Sequence, residues 1–320
     1  VRPPGPDARA RRALFWGRPT LVGVEPASLT ALFCGDEPDR KAATWARRLG
    51  PFDRLEFVVS DAASGIASAV ARLAEARRGD PDARPLEHGL DLFLTTMEAR
   101  RVLARRWGGA EAAWERAEAA DAAVAASRRR GVDARAPAAT ARAAWRRATT
   151  AFGEVDRLEA AWARAHAALD AFTPDGRLND RGRAEAEIAA ALGDLAGPEW
   201  SKVRNFLGDR RGLAFLDRMH RRLAVAEPDR ERREAMAWRW RLGRRRPRPA
   251  DPATALIRAV ALARRLDGEE RTSSDRVEAV LRDTHRAGSA VEGMNSVLRM
   301  HQSRHRRMTR PMLDLKRLYW

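Results

Sequence analysis

Residues 286–307 read Arg286-Ala-Gly-Ser289-Ala-Val-Glu292-Gly-Met-Asn295-Ser-Val-Leu-Arg299-Met-His-Gln-Ser-Arg304-His-Arg-Arg. At helical spacing Glu292, Asn295 and Arg299 share one face, while Val291, Met294 and Leu298 share another. One carboxylate is thereby set in a basic, amide-bearing stripe. Such an acid is ill placed for packing. It is well placed to hold a divalent cation beside a phosphodiester whose oxygens the arginines pair. A surface helix of mixed charge fits the same spacing.

Outward from that stretch, composition sets bounds. The 320 residues have room for one large domain or two modest ones. Hydrophobic residues make up 44% and charged residues 33%, the balance of a globular chain rather than a disordered one. The net charge of +17 and pI near 11.4 favour a polyanionic partner, because each phosphate neutralised releases condensed counterions. Arg outnumbers Lys and Ala abounds, as GC-rich coding gives, but base composition does not account for the surplus over acids. Cys34 is the single cysteine, which excludes an intrachain disulfide and a cysteine-based zinc site. No apolar run is long enough to cross a bilayer, and Val1-Arg-Pro-Pro-Gly-Pro lacks a signal-peptide core, so no membrane partner is expected and the expected location is the cytoplasm. Val1 and Trp320 are expected to be cuts in a longer reading frame.

In chain order, Ala13–Trp16 and Thr20–Val24 read as two strands about a Gly17-Arg-Pro19 turn, and Ala31–Cys34 as a third. A helix around Trp45 stops at Gly50-Pro51. Leu55-Glu-Phe-Val-Val59 is the strongest strand, and it runs into Ser60-Asp61-Ala-Ala-Ser-Gly65 and a helix over 66–77. Asp61, at the carboxyl end of a strand and followed by small residues, stands where open α/β sheets place ligands, although capping of the next helix accounts for it as well. Leu90–Leu94 reads as a fifth strand, with Asp91 structural. From Met97 to about Asp283 apolar residues recur at helical spacing, with breaks at Gly131 to Pro137, Thr173 to Gly176, Gly197-Pro198, Glu227-Pro228 and Arg244 to Pro249. Seven tryptophans fall there, and helix cores explain most of them. Trp240, in Trp238-Arg-Trp240-Arg-Leu-Gly-Arg-Arg-Arg246, interleaves with cations and is the candidate for stacking on a base.

The phrase Ser289-Ala-Val-Glu292-Gly-Met-Asn295-Ser-Val-Leu-Arg299, with Leu313-Asp-Leu-Lys-Arg-Leu-Tyr-Trp320 after it, resembles the closing helix of bacterial insertion-sequence transposases of the DDE type. The resemblance is close over the last thirty-five residues and looser over the first hundred. It implies an α/β fold, a ribonuclease-H-like mixed sheet interrupted by a large all-α insertion. The first catalytic part would span 1–96, the helical insertion 97–283 and the closing helix 284–320. It implies Asp61 and Glu292 as catalytic acids and ligands of two Mg²⁺ or Mn²⁺ ions. Arg286, Asn295, Arg299 and Arg304 would meet DNA, with Trp240 the stacking candidate. The partners implied are element ends and target DNA, held by a homodimer or a larger synaptic complex. Relatives carry D-x-F-H on the fifth strand where this chain has Leu94. They also carry an Asp-Glu pair on the opening strand where it has Arg11-Arg12, so the first acid is sought at Glu25, in Gly23-Val-Glu25-Pro26. Two other readings stand beside an active transposase: a DNA-binding remnant that no longer cuts, and a helical scaffold protein.

Overall fold

The computed structural model describes residues 19–26, 28, 30–244 and 269–284. They form two compact units, one drawn from residues up to Phe93 together with those from Arg211 onward, the other from Leu94 to Arg210. The first unit is α/β. Strand β1 (Thr20–Glu25) pairs antiparallel with β2 (Thr30–Asp36), and helix α1 (Ala42–Leu49) follows. Strand β3 (Phe57–Ser60), helix α2 (Ser64–Arg78) and strand β4 (Glu87–Leu90) then make a β-α-β unit, with β3 and β4 parallel from Phe57↔Glu87 to Ser60↔Leu90. A parallel pair requires such a crossover, since a tight turn reverses the chain.

One core joins these elements. Leu21 and Phe33 from the antiparallel pair, Leu49 from α1, Val58 from β3, and Ile66 and Val70 from α2 pack together with Leu86. Burial of each side chain of this size contributes about 1.5–3 kcal/mol. Polar ties hold the approach to β3: Arg77 of α2 donates to the carbonyls of Leu55 and Phe52, the latter at 2.8 Å. The residue after β2, Glu37, is buried and paired with both Arg47 and Arg48 of α1.

The second unit is helical. Helices α3 (Leu92–Arg129, entering this unit at Leu94) and α4 (Arg135–Ala168) share a cluster of Ala113, Ala117, Ala144 and Ala148, whose small side chains permit close packing. Gly131 (φ 68°) makes the turn between them in the left-handed region that a side chain disfavours. Pro137 falls inside the first turn of α4 rather than in the preceding loop, which its missing N–H allows because the first helical N–H groups have no intrahelical partner. Helices α5 (Arg181–Leu192) and α6 (Ser201–Leu207) complete the unit.

Helices α7 (Ala214–Ala226), α8 (Arg230–Arg244) and α9 (Glu269–Arg282) belong with the α/β unit, so the helical stretch expected from 97 to 283 is divided between the two bodies. The fifth strand also differs from the reading of Leu90–Leu94. Strand β4 ends at Leu90 and a helix begins at Leu92, because the Asp91 carboxylate accepts the Phe93 N–H at 2.9 Å and caps it. Ala13–Trp16 lies outside the described residues.

Candidate functional site at the carboxyl ends of β3 and β4

The two parallel strands end side by side, with the Asp91 N–H donating to the Ser60 carbonyl at 2.8 Å. Asp61 and Asp91 are the next residues on each strand. Asp61 is exposed. Its carboxylate accepts one hydrogen bond, from the Ala63 N–H two residues on at 3.2 Å, so a carboxylate oxygen remains open to solvent among the described residues. The capping alternative does not describe it, since Ala63 is the N-cap of α2 and that helix has no side-chain cap. Asp91 is 7% exposed and committed to α3.

Close packing places Asp61. A Cβ on Gly65 would lie 2.0 Å from the Arg40 carbonyl oxygen, so glycine alone lets α2 start against that backbone and fixes the short 61–63 link. The run of small residues after Asp61 was the sequence signal for this approach, but its partner at Arg40 was not legible.

Ser60 and His88 resemble a nucleophile and its base, with Oγ and Nε2 2.8 Å apart. The proton inventory argues otherwise. Arg211 approaches His88 Nδ1 at 3.3 Å and can only donate, so Nδ1 accepts and the ring proton sits on Nε2. His88 then donates to Ser60, and Ser60 donates to the Asp61 carbonyl at 2.9 Å. Among the described residues the serine then has no base, and the chain of bonds holds the backbone of Asp61 instead. Sequence reasoning missed this trio.

At the opposite ends of the same strands α7 is clamped by charge. Arg218 donates to Glu56 at 2.8 Å and its guanidinium carbon lies 5.4 Å from the centre of the Phe57 ring, while Arg221 pairs with Glu87. Arg84 adds a second bond to Glu56 at 2.6 Å. Partial burial pushes the Glu56 carboxyl up, but its bonds to Arg218 and Arg84 outweigh that and hold it below its ordinary value.

Glu25 stands at the end of β1, where its carboxylate accepts both the N–H and the hydroxyl of Ser28, each at 2.6 Å. Glu292, Arg286, Asn295, Arg299 and Arg304 lie outside the described residues. Of the carboxylates expected to hold metal, Asp61 is the one for which the described residues show an open oxygen suited to a hard divalent cation. Among them no group of three or more His, Cys, Asp or Glu is placed to hold a metal ion.

The tryptophans of the helical unit pack on neighbouring rings or into the core, with Trp114 still 42% exposed. Trp114 meets Trp145 edge-on at 4.6 Å and Phe152 at 5.6 Å. Their indole N–H groups go to carboxylates, Trp114 to Glu118 at 2.9 Å and Trp145 to Asp121 at 2.6 Å. Acids in those positions repel a phosphate backbone. Trp240, on α8 of the α/β unit, is half-buried, with Arg239 exposed beside it.

Charge divides unevenly along the chain. Residues 1–18, 245–268 and 285–320 hold 19 of the 61 Lys and Arg but 5 of the 44 Asp and Glu, which is 14 of the 17 net positive charges. The remainder is nearly balanced and much of it is internally paired. No helix among the described residues is long and apolar enough to cross a membrane. Compared with protein-family models, curated proteins and solved structures, the chain matches none.

Proposed function

We propose that the chain is the catalytic region of a DDE-type insertion-sequence transposase with a ribonuclease-H-like α/β domain, acting on DNA by metal-dependent phosphoryl transfer. The observation that carries this reading is Asp61, an exposed carboxylate with an open oxygen at the carboxyl end of a parallel strand pair. The order of an antiparallel pair, a helix, and a β-α-β unit supports it, as does the concentration of positive charge in segments that include Glu292. In this reading Asp61 and Glu292 hold Mg²⁺ or Mn²⁺, and the arginines of 286–304 orient the phosphates. The chemistry that two such ions supply when bound is activation of an attacking oxygen and stabilisation of a leaving one.

The test is nicking of DNA that bears the element's own ends, in Mg²⁺ or Mn²⁺. Activity that disappears with chelator and with either Asp61→Ala or Glu292→Ala is the expected result. Metal-dependent nicking that survives Asp61→Ala would overturn the assignment.

A second reading is favoured by Glu25. One oxygen of its carboxylate, Oε2, is already held twice by Ser28, so half of the candidate first acid is engaged within its own turn. A DNA-binding remnant that does not cut follows from that. Salt-sensitive DNA binding without nicking in either metal would select it. Absent DNA binding, or binding indifferent to salt, would select a helical scaffold whose charge has no polyanionic partner.

A further inference from the structure

Along the hairpin of α3 and α4, charge is sorted by distance from the turn. Residues 128–147, around Gly131, hold seven arginines and one acid, Asp133, whereas residues 107–127 and 148–159 of the stem hold seven acids and two arginines. A solvated helix face mixes the two signs along its length, and this one separates them. Trp107, Glu111, Trp114 and Glu118 recur at helical spacing on one face of α3, and Trp145, Phe152, Asp156 and Glu159 on one face of α4. The two faces adjoin, since Trp114 meets both Trp145 and Phe152, and the Trp107 indole N–H donates to Glu159. Arg135, Arg142, Glu111 and Asp156 are exposed and form no ion pair among the described residues.

We propose that this face is a two-fold interface, on which the same hairpin of a second copy lies antiparallel. Counted back from Arg129 on α3 and forward from Arg135 on α4, Arg142 stands about 11 Å from the turn, Trp145 about 15, Trp114 about 22, Glu111 about 27 and Glu159 about 36. An antiparallel copy centred about 19 Å from the turn sets Trp114 against Trp145, Arg142 against Glu111 and Arg135 against Glu159 in one register. Three pairs that agree on one axis are what a self-complementary patch requires. The exposed Trp114 then falls near the centre, where aromatic anchors carry most binding energy, and the charged pairs fall toward the rim. The face measures about 36 by 20 Å, or about 700 Å² per copy, close to the roughly 800 Å² of a specific interface. A parallel copy would set arginines on arginines. A phosphate backbone laid along the face would meet the acids beside Trp114, whereas a second copy satisfies both signs. The proposal concerns the helical unit alone and holds whether or not the chain cuts DNA.

Equilibrium sedimentation of the full chain tests it, with a dimer as the expected species. Glu111→Arg and Arg142→Glu should each weaken that dimer about tenfold or more, because a substitution acts twice across a two-fold axis. The double variant should restore it. Rescue has no route within one copy, where positions 111 and 142 stand about 16 Å apart along the hairpin. Both side chains are exposed and without an ion pair among the described residues, so each variant should keep the urea midpoint of the parent. A chain still monomeric at about 100 μM overturns the proposal, since interfaces of this size bind in the micromolar range or tighter. So does a dimer that neither substitution weakens, or a weakening that the double variant fails to reverse. Association that needs added duplex DNA and is lost with Arg142→Glu also overturns it, and would assign the arginines near the turn to a phosphate backbone.

Discussion

Strands β3 and β4 run the same way, lie side by side and are each followed by an aspartate, yet the two acids have opposite fates. Asp91 is drawn into the fold, 7% exposed and spent on the first turn of α3. Asp61 is left in solvent with a single weak local bond. The difference begins one residue later. After Asp91 come Leu92 and Phe93, which start a helix at once and supply the N–H that the carboxylate caps. After Asp61 come Ala62 and Ala63, and α2 starts only at Ser64 with its own uncapped end. Strand-end position alone therefore does not leave an acid open to solvent. What decides it is whether the next helix consumes the carboxylate.

The largest effect should separate the two acids outright. Asp61→Asn should reduce metal-dependent DNA nicking to background while leaving the denaturation midpoint nearly unchanged. Asp91→Asn, by contrast, should retain measurable nicking, and a loss of activity without a loss of stability there would break the comparison. Next comes Gly65→Ala, which sets a Cβ against the Arg40 carbonyl. It should cost roughly 1–3 kcal/mol in a urea titration and loosen the Asp61 link in particular. Asp91→Ala removes the cap of α3 and should cost about 1 kcal/mol, read from the same titration.

The smallest effect concerns the other end of the strands. Glu56 is held below its ordinary value by Arg218 and Arg84. A depressed folded value means that its contribution to stability is fully present above the unfolded value of about 4.5 and is lost as pH falls through the folded value. Arg218→Ala should cost about 1 kcal/mol at neutral pH, since the pair is partly screened. It should also make the acid-side decline in stability shallower. An equal decline in both proteins would remove Glu56 from the account.

Much of the α/β unit was legible. β-branched and aromatic runs located β1, β2 and β3, and Gly50 located the end of α1. Leu90–Leu94 misled because an apolar run of that length suits a strand or the first turn of a helix, and a cap formed by Asp91 settled it. The carboxylate at Asp61 was legible as a candidate from the small residues after it. The His88 proton was not, because it depends on Arg211, more than a hundred residues away. Nor was the occupation of Glu25 by Ser28, whose hydroxyl shows no pattern in a sequence.

Residue order was enough to place the main strands and helices, to put an aspartate at the end of β3, and to concentrate positive charge in three segments. Those properties are local or additive, set by backbone preference and by counting ions. Folding settled which aspartate stays in water, which way the His88 proton points, and why residue 65 must be glycine. Each of these depends on groups brought together from distant positions, and burial and hydrogen-bond partners exist only once the chain has closed on itself.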